Sequence, residues 1–303
     1  MDFLQPTSWD DALAAKAARP EAVPIAGGTD VMVEINFDAR RPAAMLDLTR
    51  VPDLARWTSE AGRVRLGAAV SYARVIGELG DRLPGLAMAA RTVGSPQIRN
   101  RGTVGGNLGA ASPAGDSHPP LLAVGAEIEV ASVRGVRTIP AADFYTGVKR
   151  NALAEDELIA AILIPQAAGP QQFSKIGTRN AMVIAVASFC IYLNARDRTV
   201  GTGIGSAAPT PRRATDAELF LAAALDEASL WDSRADLPES VVTEFGVRVQ
   251  AAASPVDDVR GTASYRRHGL AVMARRTLTW AWNAFQDGAH PGGRPPGTPR
   301  RGG

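Results

Sequence analysis

Cysteine is almost missing from this 303-residue chain. The single thiol, Cys190, lies inside the apolar run VIAVASFCIYL, so no intramolecular disulfide can form, which points to a reducing, cytoplasmic setting. One cysteine also excludes a four-thiolate iron–sulfur cluster held by this chain alone. Histidine is scarce as well: His118, His268 and His290 stand far apart without metal-ligand spacing, which excludes a His/Cys zinc site. Charge of one sign is lacking too. With 33 basic against 31 acidic residues the formal net charge is +2, which leaves no footprint for nucleic acid or an anionic membrane. The pI of 8.9 owes part of its height to arginines close to the C-terminus. No apolar stretch reaches membrane-spanning length. The opening MDFLQPTSWDDALAAKAA has no basic segment followed by an apolar one, so it does not read as a signal peptide.

What is present is ordinary globular material, 46% apolar and 21% charged, with length for roughly two domains. Ser8 is placed to cap a helix over WDDALAAKAA. AVPIA (22–26) reads as a buried strand running into a glycine turn, VMVEINF as a short helix and AAMLDL (43–48) as the next strand, the grammar of a βαβ unit. RVRLGAAV (63–70) is another strand, Ser71 caps YARVIGEL, and a further helix covers about 83–93. Residues 94–117, rich in Gly, Ser, Asn and Pro, read as one long loop, and loops of that length in compact domains are commonly functional. AEIEVASV and VRTIP form a hairpin, and ELIAAILIP (157–165) a strand. After a boundary at AGPQ (168–171), FSKIGTR, VIAVASFCIYLNA and TVGTGIGSAA predict a small antiparallel sheet. Thr210 or Thr215 starts a helix, and others follow near 238–253 and 262–286. The Gly/Pro/Arg tail 288–303 is expected to be disordered. The sequence contains no internal repeat.

Two glycine turns carry the chemistry. Ala26-Gly27-Gly28-Thr29-Asp30 stands between a strand and a helix, where paired glycines and free N–H groups let a phosphate approach the backbone. The same segment also reads as a plain connection capped by Thr29 or Asp30. The second, Thr103-Val104-Gly105-Gly106-Asn107, lies in the long loop with Ser112 and Asp116 beyond it. Its regularly placed Ile98, Val104 and Leu108 argue against a floppy segment. Neither turn matches the G-x-G-x-x-G or the P-loop pattern. Together they could close on a diphosphate from two sides, with Asp116 accepting from sugar or ribityl hydroxyls. Taken this far, FAD, ATP and NAD all remain open.

AGGTD (26–30), IRNRGTVGGNLGAASPAGD (98–116), LLAVGA (121–126), SAAPTPRRA (206–214) and VRGTASYRRH (259–268) resemble the FAD-binding medium subunits of the xanthine dehydrogenase and aerobic carbon monoxide dehydrogenase family. The resemblance implies an α+β chain. Two α/β subdomains, about 1–55 and 56–168, would form a PCMH-type FAD-binding domain, and 169–287 a smaller domain of antiparallel sheet plus helices. It implies FAD between the subdomains, with Ile25 and the AGGTD turn on one side and Thr103, Gly105, Gly106 and Asn107 on the other. Ser112 and Asp116 would meet the ribityl or phosphate region. Leu66 and Ala68 would pass near the cofactor, Leu158 and Ile159 would cover part of the isoalloxazine ring, and Lys175 would stand at its electron-rich edge.

It also implies partners. A small subunit would carry two 2Fe-2S clusters and a large one the molybdenum–pterin cofactor, in a dimer of heterotrimers that passes electrons through FAD to NAD, a quinone or oxygen. No catalytic acid, base or nucleophile is expected in this chain. His118, beside Pro119 and Pro120, is expected to be a capping or surface residue. The competing readings are a self-sufficient flavoenzyme of the same FAD-domain type and a non-enzymatic module that binds ATP or ADP.

Overall fold

In the computed structural model, which describes residues 1–288, three larger β-sheets are built in succession along the chain, with a two-stranded ribbon beside the second. The first holds β1 (Asp2–Leu4), β2 (Val23–Ile25) and β3 (Ala44–Asp47), parallel throughout and ordered β1-β3-β2. The connections are α1 (Trp9–Ala18), capped by Ser8, and α2 (Val31–Asn36). Central β3 is buried at every position, whereas edge strand β2 is only partly covered. The expected buried strand at 22–26 is therefore a half-exposed edge, since one neighbour pairs with it and the other side faces the cleft.

The second sheet is antiparallel, ordered β4 (Trp57–Glu60), β5 (Arg63–Gly67), β10 (Leu158–Pro165), β6 (Glu127–Ser132), β7 (Gly135–Pro140). Between β5 and β6 the chain makes five helices: α3 (Tyr72–Glu78), α4 (Pro84–Thr92), α5 (Pro96–Arg101), α6 (Val104–Ala110) and α7 (His118–Ala123). The segment expected to be one loop over 94–117 thus contains two helices. Each start has local chemistry: Ser95 caps α5 with proline at its first position, and the Thr103 hydroxyl accepts from Gly106 N–H at 2.9 Å to cap α6. Glycine-rich composition hid them, because α6 reads VGGNLGA. A short α8 (Ala141–Phe144) and the ribbon β8 (Tyr145–Gly147) and β9 (Arg150–Asn151) complete this part.

The third sheet, β11 (Gln171–Ile176), β12 (Ala187–Asn194) and β13 (Thr199–Gly205), is antiparallel as expected. It packs against α9 (Thr215–Glu227), α10 (Leu230–Ser233), α11 (Glu239–Ala251) and the long α12 (Ala263–Gln286), whose start Thr262 caps. One core joins the first two sheets and a second fills the space between β12, β13 and the C-terminal helices. A small cluster of Ala89, Ala123, Phe173, Cys190 and Tyr192 sits at the seam between these parts.

Along that seam β13 lies flush on α7. A Cβ on Gly201 would stand 1.9 Å from the Ala123 carbonyl oxygen, and one on Gly203 2.0 Å from that of Pro119. The predicted tail falls on 289–303, outside the described residues apart from Gly288. No helix among the described residues is long and apolar enough to cross a membrane.

Candidate cofactor site

The two glycine turns meet. A Cβ on Gly27 would lie 2.0 Å from the Arg101 carbonyl oxygen and 2.9 Å from Gly102 N, so the first turn is pressed against the residues that lead into the second. Gly28 occupies the left-handed region (φ 77°), which glycine adopts without a Cβ penalty. The backbone N–H groups of Gly27, Gly28, Thr29 and Asp30 have no acceptor among the described residues. Asp30 stands before α2 without a side-chain cap bond, and burial pushes its carboxyl above the usual range.

Around these turns opens a cleft with two lobes, of about 460 and 670 Å³, which share Ala26, Arg40, Gly106 and Gly109. The smaller lobe has an apolar wall of Pro24, Leu48, Leu54, Ala68, Leu153, Leu158 and Ile159, and a polar and charged side with Lys16, Glu21, Asn151, Glu155 and Glu157. The larger is lined by Gly27, Gly28, Thr29, Asp30, Tyr72, Val93, Thr103, Asn107, Asp116 and Lys175, among others. Leu158 and Ile159 were expected beside the same flavin end as Lys175. They lie in the other lobe.

Three expected contacts line neither lobe. Ile25 supports Gly28 from below, Leu66 is fully buried in β5, and the Ser112 hydroxyl accepts from Ala114 N–H at 3.3 Å within its own turn.

In the larger lobe Lys175, from β11, reaches across the seam. Its Nζ is 2.5 Å from Asp116 Oδ2 and 3.2 Å from the Thr92 carbonyl oxygen. Thr92 Oγ1 lies 3.1 Å from the same carboxylate oxygen. Burial pushes the Asp116 carboxyl up, while the Lys175 ammonium and the Thr92 hydroxyl pull it back. The other oxygen, Asp116 Oδ1, is buried and accepts no hydrogen bond.

His118 is not at the surface. It is wholly buried, its Nδ1 2.8 Å from the Tyr145 hydroxyl, and burial lowers its pKa to about 3. The prolines after it drew attention to a helix start, but α7 is buried at every position and packs on β12 and β13. Sequence reading also missed Arg40, the one charged residue shared by both lobes, and the ion pair of Lys149 with Glu34 (2.7 Å) at the larger lobe. In the sequence these are ordinary surface charges, and only the fold places them at the cleft.

Residues 1–167 match the family described as the FAD binding domain in molybdopterin dehydrogenase. The chain belongs to this family. Residues 172–281 match the CO dehydrogenase flavoprotein C-terminal domain. The flavoprotein is 31% identical over 285 residues to the nicotine 6-hydroxylase medium subunit of Paenarthrobacter nicotinovorans, covering 92% of this chain and 96% of that one. It is 30% identical to the putative xanthine dehydrogenase FAD-binding subunit of Escherichia coli K12, covering 89% and 92%.

Among solved structures, carbon monoxide dehydrogenase from Hydrogenophaga pseudoflava superposes with a TM-score of 0.83 at 27% identity, over 93% of this chain and 97% of that one. The protein is therefore a medium, FAD-binding subunit of the molybdenum hydroxylase family, an oxidoreductase component whose cofactor is FAD. The cleft suits that group: a lobe with one apolar wall, a turn of free N–H donors, and a buried carboxylate oxygen without a donor. Among the described residues no group of His, Cys, Asp or Glu could hold a metal ion.

Proposed function

We propose that this subunit takes electrons from 2Fe-2S clusters on a small partner subunit and passes them through FAD to an external acceptor. Substrate oxidation would occur at a molybdenum–pterin centre on a large subunit. The expected assembly is a dimer of such heterotrimers in the cytoplasm. When bound, FAD supplies the redox chemistry, and the chain's own residues bind, orient and shield it.

The observation that carries the cofactor reading is the contact of Gly27 with Arg101 and Gly102, which brings both glycine turns to one cleft. In this reading residues 1–168 form the FAD-binding unit, with subdomains 1–55 and 56–168, and 169–287 the C-terminal one. The lobe whose apolar wall holds Leu48, Leu158 and Ile159 suits the adenine end, and the lobe with Asp116 and Lys175 the ribityl and flavin end. The diphosphate would then cross the junction at Ala26 and Gly106, where the Arg40 guanidinium can pair with it. Asp116 Oδ1 is placed to accept from a ribityl hydroxyl, while Lys175 holds Oδ2.

The test is purification of the chain with and without co-expressed neighbouring subunits. The expected result is a yellow protein whose flavin is reduced by the complex's substrate, without added dithionite, only when all three subunits are present. Reduction of the lone chain by substrate would favour the self-sufficient flavoenzyme, and a colourless protein loaded with ATP or ADP the nucleotide module.

A further inference from the structure

Ser117 occupies the N-cap position of α7, where a serine hydroxyl ordinarily accepts from the second or third backbone N–H of the helix. Here those positions are Pro119 and Pro120, which have no N–H, and the hydroxyl makes no cap bond. It is wholly buried and lines neither lobe of the cleft. Instead it donates to Asn107 Oδ1 at 2.6 Å, while the Tyr72 hydroxyl donates to it at 3.4 Å.

Asn107 belongs to α6 and lines the larger lobe. An amide side chain has an accepting end and a donating end. With the oxygen engaged beneath the floor, Asn107 Nδ2 has no acceptor among the described residues. The turn above packs closely on this amide, and only glycine fits there: a Cβ on Gly115 would lie 2.7 Å from Asn107 Oδ1 and 2.2 Å from His118 Nε2.

We propose that Ser117 is a positioning residue for cofactor binding: its hydroxyl fixes the Asn107 amide so that the NH₂ faces the FAD diphosphate. This rests on the reading that the glycine turns hold that diphosphate. The prolines that start α7 make the device possible, because they leave the serine free to serve a residue ten positions upstream.

The experiment is a double-mutant cycle on the full chain, with FAD titrated into apoprotein and the ³¹P resonances of bound FAD recorded. Ser117→Ala is expected to weaken FAD roughly tenfold, the scale of one hydrogen bond to a charged group. In an Asn107→Ala background the same change is expected to cost less than about twofold. The ³¹P shifts should move in the same direction in both single variants. Ser117→Cys, close in size and a weak donor, tests the same bond where Ser117→Ala does not fold, and should also weaken FAD. Equal losses from the serine change in both backgrounds would overturn the proposal, as would unchanged affinity in Ser117→Ala. If Asn107→Ala alone leaves FAD affinity and the ³¹P spectrum untouched, the diphosphate reading itself fails.

Discussion

Lys175 on β11 and Asp116 before α7 form a buried ion pair, Nζ to Oδ2 2.5 Å, that joins the C-terminal sheet to the floor of the cofactor cleft. Removing one partner of a buried pair strands the other charge, at a cost of about 3–5 kcal/mol. Lys175→Met is therefore expected to lower the melting temperature markedly, and the double variant Lys175→Met/Asp116→Asn to recover most of the loss. Thermal unfolding followed by circular dichroism measures both. A single variant as stable as the wild type would contradict the pairing.

Gly27→Ala places a methyl 2.0 Å from a backbone oxygen, so one turn must move away from the other. The flavin-to-protein ratio after purification is expected to fall close to zero. Gly77→Ala, in α3 and away from the cleft, is the control: its added Cβ meets nothing within 4 Å, and flavin content should stay close to that of the wild type. Equal flavin content in the two variants would remove the contact from the argument.

Arg40 stands where the lobes join, half-exposed and 3.4 Å from Glu34. If it pairs with the diphosphate, Arg40→Ala should weaken FAD about fivefold at low salt and flatten the dependence of affinity on ionic strength. Titration at low and high salt measures this. An unchanged salt slope would assign Arg40 to Glu34 alone.

His118 gives a pH signature. Burial holds its folded pKa near 3, below the ordinary value of 6.5, so the unfolded chain binds more protons between these limits. Its contribution to stability is complete above about pH 6.5 and is lost progressively as the pH falls toward 3. Denaturant midpoints should decline over that window, and the decline should be shallower in His118→Gln. Parallel profiles for the two proteins would show that other groups set the slope.

The sequence disclosed most of what is periodic or capped. Ser8 and Ser71 stand at the helix starts they were expected to mark, and the strands of the third sheet appear in their expected order. The short β1 and the helices α5 and α6 escaped, because three residues carry no period and VGGNLGA has poor helix propensity. The site was legible where a special backbone is needed, as at Gly27 and Gly28. It was illegible where geometry between distant segments decides. Nothing in a linear reading separates Leu158 from Lys175 into different lobes, buries His118, or turns Ser117 toward Asn107.

The glycines of β13 constrain how the molecule can be taken apart. Because Gly201 and Gly203 meet the carbonyls of Ala123 and Pro119 directly, α7 rests on bare main chain at these two positions. Expressed without residues 168–303, the N-terminal portion would bare one flank of α7 and leave Asp116 without its ammonium neighbour. A chimaera that borrows its C-terminal portion from a relative would need the same two empty positions, or α7 would be pushed off its seat.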